Sequence, residues 1–87
     1  DLKSDEGRRL LDELIDTADV LIENFRPGTL DRLGFGVDRV RARNPRIIYC
    51  SISGFGQTGP SRSRTAYDLI VQGMSGMMSV TGLPDGV

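Results

Sequence analysis

An amphipathic helical stretch that runs straight into a short, wholly apolar segment constrains this chain more than any other feature. Leu10, Leu11, Leu14, Ile15 and Ala18 recur at spacings of one, three and four, which places them on one stripe of an α-helix with Arg9, Asp12, Glu13 and Asp16 outside it. Ser4 offers a hydroxyl cap ahead of that stripe. Asp5 and Glu6 follow in the first turn, where carboxylates complement the positive end of the helix dipole. Val20-Leu21-Ile22 comes next, the pattern of a strand buried on both faces of a parallel sheet. Helix followed at once by such a strand predicts an α/β fold.

Further along, Glu23-Asn24-Phe25-Arg26-Pro27-Gly28 breaks the periodicity and predicts a loop at the carboxyl end of that strand, the edge where ligands sit in open α/β sheets. Thr29 to Leu33 is long enough for about one helical turn, closed by Gly34 and Gly36. Val37 to Arg43 reads as a second short helix stopped by Asn44-Pro45. Arg46 to Ser53 carries the β-branched and aromatic content of a second buried strand. A long glycine, serine and proline loop occupies Ser53 to Arg64, and apolar residues from Leu69 to Val80 repeat at helical spacing over about Ala66 to Ser79. Gly73 and Gly76 inside that helix predict close packing against a neighbouring backbone. Two strands and four helical segments leave sheet edges bare and faces half covered, so more chain or a partner is needed to complete the sheet. With no initial methionine and a turn sequence, Pro84-Asp85-Gly86, directly before Val87, the 87 residues read as a fragment.

Composition removes several functions. Eleven basic against twelve acidic residues give a net charge of -1, which argues against nucleic-acid binding through a general basic face. Val20-Leu21-Ile22 falls far short of the roughly 20 apolar residues of a membrane-spanning helix, so no membrane partner is expected. One cysteine, Cys50, and no histidine exclude an internal disulfide framework and a Cys/His zinc site, and point to a reducing, cytoplasmic compartment. Without histidine, the usual general base and the partner of a serine or cysteine nucleophile are missing, and carboxylate, lysine or tyrosine chemistry remains.

Gly54-Phe55-Gly56-Gln57-Thr58-Gly59 matches the glycine spacing of a dinucleotide-binding turn, but Pro60 follows where a helix should open. No acidic residue stands about 20 positions on in a suitable place, so a flexible loop over a ligand or at an interface is expected instead. Ten of the eleven basic residues are arginine. Arg39, Arg41 and Arg43 on one short helix read as a solvated face. Arg26 and Arg32 flank Pro27-Gly28 after a strand, where both a surface role and a phosphate-bearing ligand fit. Cys50 reads as a small core residue, and Met74, Met77 and Met78 as packing. Asp68 fits a capping or dipole carboxylate, while Tyr67-Asp68 directly after a glycine loop is also placed to line an active site.

Taken in order, several segments resemble the family III CoA-transferases, the group that contains formyl-CoA transferase and carnitine CoA-transferase. They are Asp1-Leu2-Lys3-Ser4, Ala18-Asp19-Val20 running into Glu23-Asn24-Phe25-Arg26-Pro27-Gly28, Leu30-Asp31-Arg32-Leu33-Gly34, Asn44-Pro45-Arg46-Ile47-Ile48-Tyr49, Ser53-Gly54-Phe55-Gly56-Gln57-Thr58-Gly59-Pro60, and Tyr67-Asp68 through Thr81-Gly82. The resemblance spans essentially the whole chain. It implies a piece, residues 1–87, of a large Rossmann-like domain with a parallel sheet and flanking helices. The small domain would be absent, and the complete protein would be a homodimer of interlocked chains.

The implied activity moves CoA between carboxylic acids, with acyl-CoA and an acceptor acid as substrates and no permanently bound cofactor. An aspartate attacks the donor thioester and passes through a mixed anhydride to an aspartyl-CoA thioester. The resemblance puts that aspartate beyond Val87, so this stretch would be inactive alone. Lys3, Asn24, Phe25 and Arg32 match positions that hold CoA, Arg32 near phosphates or adenine and Asn24-Phe25 as a backbone and ring wall. Tyr67 and Asp68 match a pair beside the reacting acyl group, and Gly54, Gly56 and Gly59 a loop near it. The α-methylacyl-CoA racemases share this fold but carry histidine where Tyr67 stands, and a phenol with an ordinary pKa of about 10 is a poor base near neutrality. A non-catalytic α/β nucleotide-binding module is the third reading.

Overall fold

A computed structural model describes residues 1–84, so Asp85 and Gly86 of the expected turn lie outside the described residues. Helix α1 spans Asp5–Thr17, with the Ser4 hydroxyl accepting the Gly7 N–H at 3.0 Å. The expected cap is the observed one. Strand β1 covers Val20–Glu23, helices α2 (Thr29–Leu33) and α3 (Val37–Arg43) follow, and β2 covers Ile48–Ser51. The strands pair in parallel with Val20 opposite Ile48 and Glu23 opposite Ser51. This is an α/β fold, as the sequence predicts. The second strand is shorter than the expected Arg46–Ser53, because the four residues of β1 pair with only Ile48 to Ser51.

Strand alternation divides the residues between two faces. Leu21 and Tyr49 turn inward and pack on a core of Ile15, Leu30, Phe35, Val40 and Ile47, contributed by α1, α2, the α2–α3 connection, α3 and the approach to β2. Val20, Ile22 and Ile48 turn outward and remain 46%, 67% and 63% exposed. The expected burial of the first strand on both faces is therefore not met here: α1, α2 and α3 all feed one core, and the opposite face is bare among the described residues. Leu10 and Leu14 of the helical stripe are likewise exposed, while Ile15 is buried and Leu11 and Ala18 pack against the core. Cys50 is half-buried on β2 rather than enclosed.

Arg39 and Arg43 lie on the solvated face expected of them, but they are ion-paired there rather than free. Arg39 donates to both carboxylate oxygens of Asp12 at 3.1 and 3.2 Å, and Arg43 to both of Asp16 at 2.7 and 2.8 Å, which ties α3 to α1. Arg41 is exposed, as expected.

Beyond β2 the loop from Ser53 carries no regular structure until α4 (Asp68–Met74), followed by α5 (Met77–Val80). The single helix expected over about Ala66 to Ser79 is two, because Gly76 at φ +85° adopts the left-handed conformation that ends one helix before the next. Close backbone packing does not explain the glycines: an added Cβ at Gly73 would meet only the Met78 sulfur, at 3.8 Å.

Candidate functional site

The site forms where the two parallel strands end. Three hydrogen bonds shape that corner. The Ile52 N–H extends the ladder to the Glu23 carbonyl at 2.8 Å, the Asn24 side-chain amide donates to the Ile52 carbonyl at 2.7 Å, and the Glu23 carboxylate accepts the Phe25 N–H at 2.8 Å. Arg26 then reaches the Thr65 hydroxyl at 3.1 Å, so the loop after β1 holds the segment that enters α4.

Two adjoining cavities open at this edge. One, about 190 Å³, is lined by Asn24, Phe25, Arg26, Gly54, Arg62, Arg64 and Tyr67 among others. Three arginines beside two aromatic rings offer charge for an anion and flat apolar surface for the body that carries it. The other, about 400 Å³, is bounded by Glu23, Asp31, Tyr49, Gln57 and Arg62. Tyr49 donates its hydroxyl to the Phe35 carbonyl at 2.8 Å. Burial pushes the Tyr49 phenol up from its ordinary 10.0, and the Glu23 and Asp31 carboxylates add to the shift by opposing a phenolate.

Of the residues singled out from sequence, Asn24, Phe25, Arg26, Gly54 and Tyr67 converge on the smaller cavity. Gly54 is required there, because a Cβ would collide with that of Ala66. Gly56 and Gly59 face open space at φ +80° and +90° and serve the course of the loop. Asp68 stands in the first turn of α4 and accepts from Gln72 at 2.7 Å, while Tyr67 occupies the N-cap position. Arg32 is engaged by the Thr29 hydroxyl at 3.3 Å and lines neither cavity. Nor does Lys3, whose backbone carbonyl accepts from Arg8 at 3.0 Å. Among the described residues no cluster of three or more His, Cys, Asp or Glu could hold a metal ion, and no helix is long and apolar enough to cross a membrane.

Glu23, Arg62 and Arg64 belong to the site and were not singled out individually. Glu23 carried a usable signal, an acidic residue closing an apolar strand. Arg62 and Arg64 carried none, since their arrival at the cavity depends on how an irregular loop folds back.

The profile described as CoA-transferase family III matches residues 1–87. Acetyl-CoA:oxalate CoA-transferase of Acetobacter aceti is 56% identical over 85 residues, covering 98% of this chain and 22% of the relative. Succinate–glutarate CoA-transferase of Agrobacterium fabrum is 56% identical over 86 residues, covering 99% of this chain and 22% of the relative. The crystal structure of a CAIB/BAIF family protein from Brucella suis superimposes with a TM-score of 0.91 at 50% identity, over 98% of this chain and 22% of that one. The chain thus spans about a fifth of the length of the curated relatives it matches.

Proposed function

The chain belongs to CoA-transferase family III, and on that premise we propose that it is part of the large Rossmann-like domain of an acyl-CoA:carboxylate CoA-transferase. The observation that carries this reading is the strand-end corner: Asn24 and Phe25, held in place, share a cavity with Tyr67 and three arginines. Curated relatives named as transferases of CoA between acids support the reaction class.

In this reading an aspartate beyond Val87 attacks the thioester carbonyl through a carboxylate oxygen. The C–S bond breaks, CoA leaves as thiolate, and a mixed anhydride remains. The thiolate then attacks the aspartyl carbonyl, releasing the donor acid and leaving an aspartyl-CoA thioester that the acceptor acid consumes by the reverse steps. The chain's own residues bind and orient. Phe25 offers its ring to the ligand; Arg32 and Lys3, which lie outside both cavities, meet anionic groups of the ligand that extend past them; and Tyr67 with Asp68 stands beside the acyl group. Gly54 lets the loop approach, and Gly56 and Gly59 shape it. By itself this stretch lacks the nucleophile and is inactive. The complete protein is an interlocked homodimer with a separate small domain, takes CoA thioesters as substrates rather than a resident cofactor, and works in the cytoplasm, in keeping with the free thiol of Cys50 in this stretch.

The test is an intact-mass measurement on the full-length protein incubated with succinyl-CoA or acetyl-CoA. A covalent gain of CoA, removed by hydroxylamine, is expected. Absence of any adduct, together with no CoA exchange between acids, overturns the transferase reading. Proton exchange at the α-carbon of the acyl group in its place would favour the racemase branch.

A further inference from the structure

We infer that Glu23 is a positioning residue for the CoA-binding wall, acting through the Phe25 backbone; the inference rests on the transferase reading above. Glu23 is 8% exposed and is the one buried charged residue among those described, an arrangement that needs a specific partner to persist. Its partner is the Phe25 N–H, at 2.8 Å from Oε2. That bond folds the chain back two residues after the strand ends and turns the Phe25 ring outward, where it is 49% exposed at the cavity.

Two consequences follow for ligand binding. The Phe25 N–H is already engaged and is not free to hold a ligand oxygen, so Phe25 contributes its ring. Asn24 likewise spends one side-chain N–H on the Ile52 carbonyl, which locks the corner to the end of β2. The wall is therefore built before ligand arrives, and the Glu23 carboxylate is the element that sets the ring's direction.

The experiment uses the full-length protein with Glu23→Ala and Glu23→Gln, measuring CoA affinity by calorimetry, and KM and kcat with succinyl-CoA. Glutamine keeps a side-chain oxygen able to accept from Phe25, whereas alanine removes it. Expected are a rise in Kd and KM of about tenfold for Glu23→Ala with kcat within about twofold, and recovery to within about threefold in Glu23→Gln. The split between KM and kcat, and the rescue, separate positioning from a general loss of fold. If Glu23→Ala binds CoA as the unaltered protein does, or Glu23→Gln is as impaired as Glu23→Ala, the proposal is overturned while the transferase reading stands. If the unaltered protein itself neither binds CoA nor forms the adduct, the transferase reading falls and this proposal with it.

Discussion

Tyr49 shows how a single side chain joins core and site. Its hydroxyl satisfies the carbonyl of Phe35, the largest fully buried residue, while the ring borders the larger cavity. Replacing it with phenylalanine leaves that carbonyl without its donor, at a cost of about 1 kcal/mol in the full-length protein. The pH dependence has a definite sign. Because the folded phenol titrates above 10.0, folding favours the protonated form; its contribution is whole below pH 10.0 and is lost as pH rises through the folded value. Denaturant titrations at neutral and strongly alkaline pH should therefore show the gap between wild type and Tyr49→Phe narrowing as pH rises, and a gap that widens would refute the assignment. Tyrosine within a strand was visible in the sequence. That this hydroxyl would meet a carbonyl 14 residues earlier was not.

Among the elements, the α1–α3 contact is held in two ways of unequal worth. Arg39 and Arg43 pair with Asp12 and Asp16 across the surface, and the Arg43 hydrogen bond holds the Asp16 carboxyl below its ordinary 3.8. That contribution is present above pH 3.8 and lost as pH falls through the folded value, and as an exposed pair it is weakened by salt. Asn44, half-buried, instead donates to the carbonyls of Ile15 at 2.8 Å and Ala18 at 3.0 Å, which finishes the last turn of α1. In the full-length protein Asn44→Ala should cost about 1–2 kcal/mol and lower the melting temperature more than Arg39→Ala, most clearly at high salt; the reverse order would show that the surface pairs dominate. Asn44-Pro45 read correctly as a helix stop. Its side chain's second task, capping a different helix, lay outside any local pattern.

At the scale of the molecule, the chain is elongated: 55 × 24 × 22 Å with a radius of gyration of 17.5 Å, against about 12 Å for a compact chain of this length. It exposes 6880 Å², where a compact protein of its mass would expose about 5,000 Å². Among the described residues five buried hydrophobic ones form the core, while Leu69, Ile70, Met74, Met77 and Met78 stand exposed on α4 and α5. The 87 residues expressed alone should bind an apolar dye such as ANS and melt without a sharp transition. A cooperative melt with little dye binding would mean that the core is sufficient and the bare faces need no cover.

What the sequence determined by itself was carried by near neighbours along the chain: the Ser4 cap, the first helix, the apolar strand that Glu23 closes, and the loop after it. Its ordered strings also pointed to the family. Tertiary structure alone decided that Glu23 is buried against the Phe25 amide, that the Asn24 amide is committed to Ile52, that Arg39 and Arg43 are clamps, and that Arg62 and Arg64 come to the cavity. The reason is range. A helix stripe or a cap is set by residues within a few positions of one another, whereas Asn24 and Ile52 are 28 positions apart, and they meet because the register of two parallel strands brings their ends together.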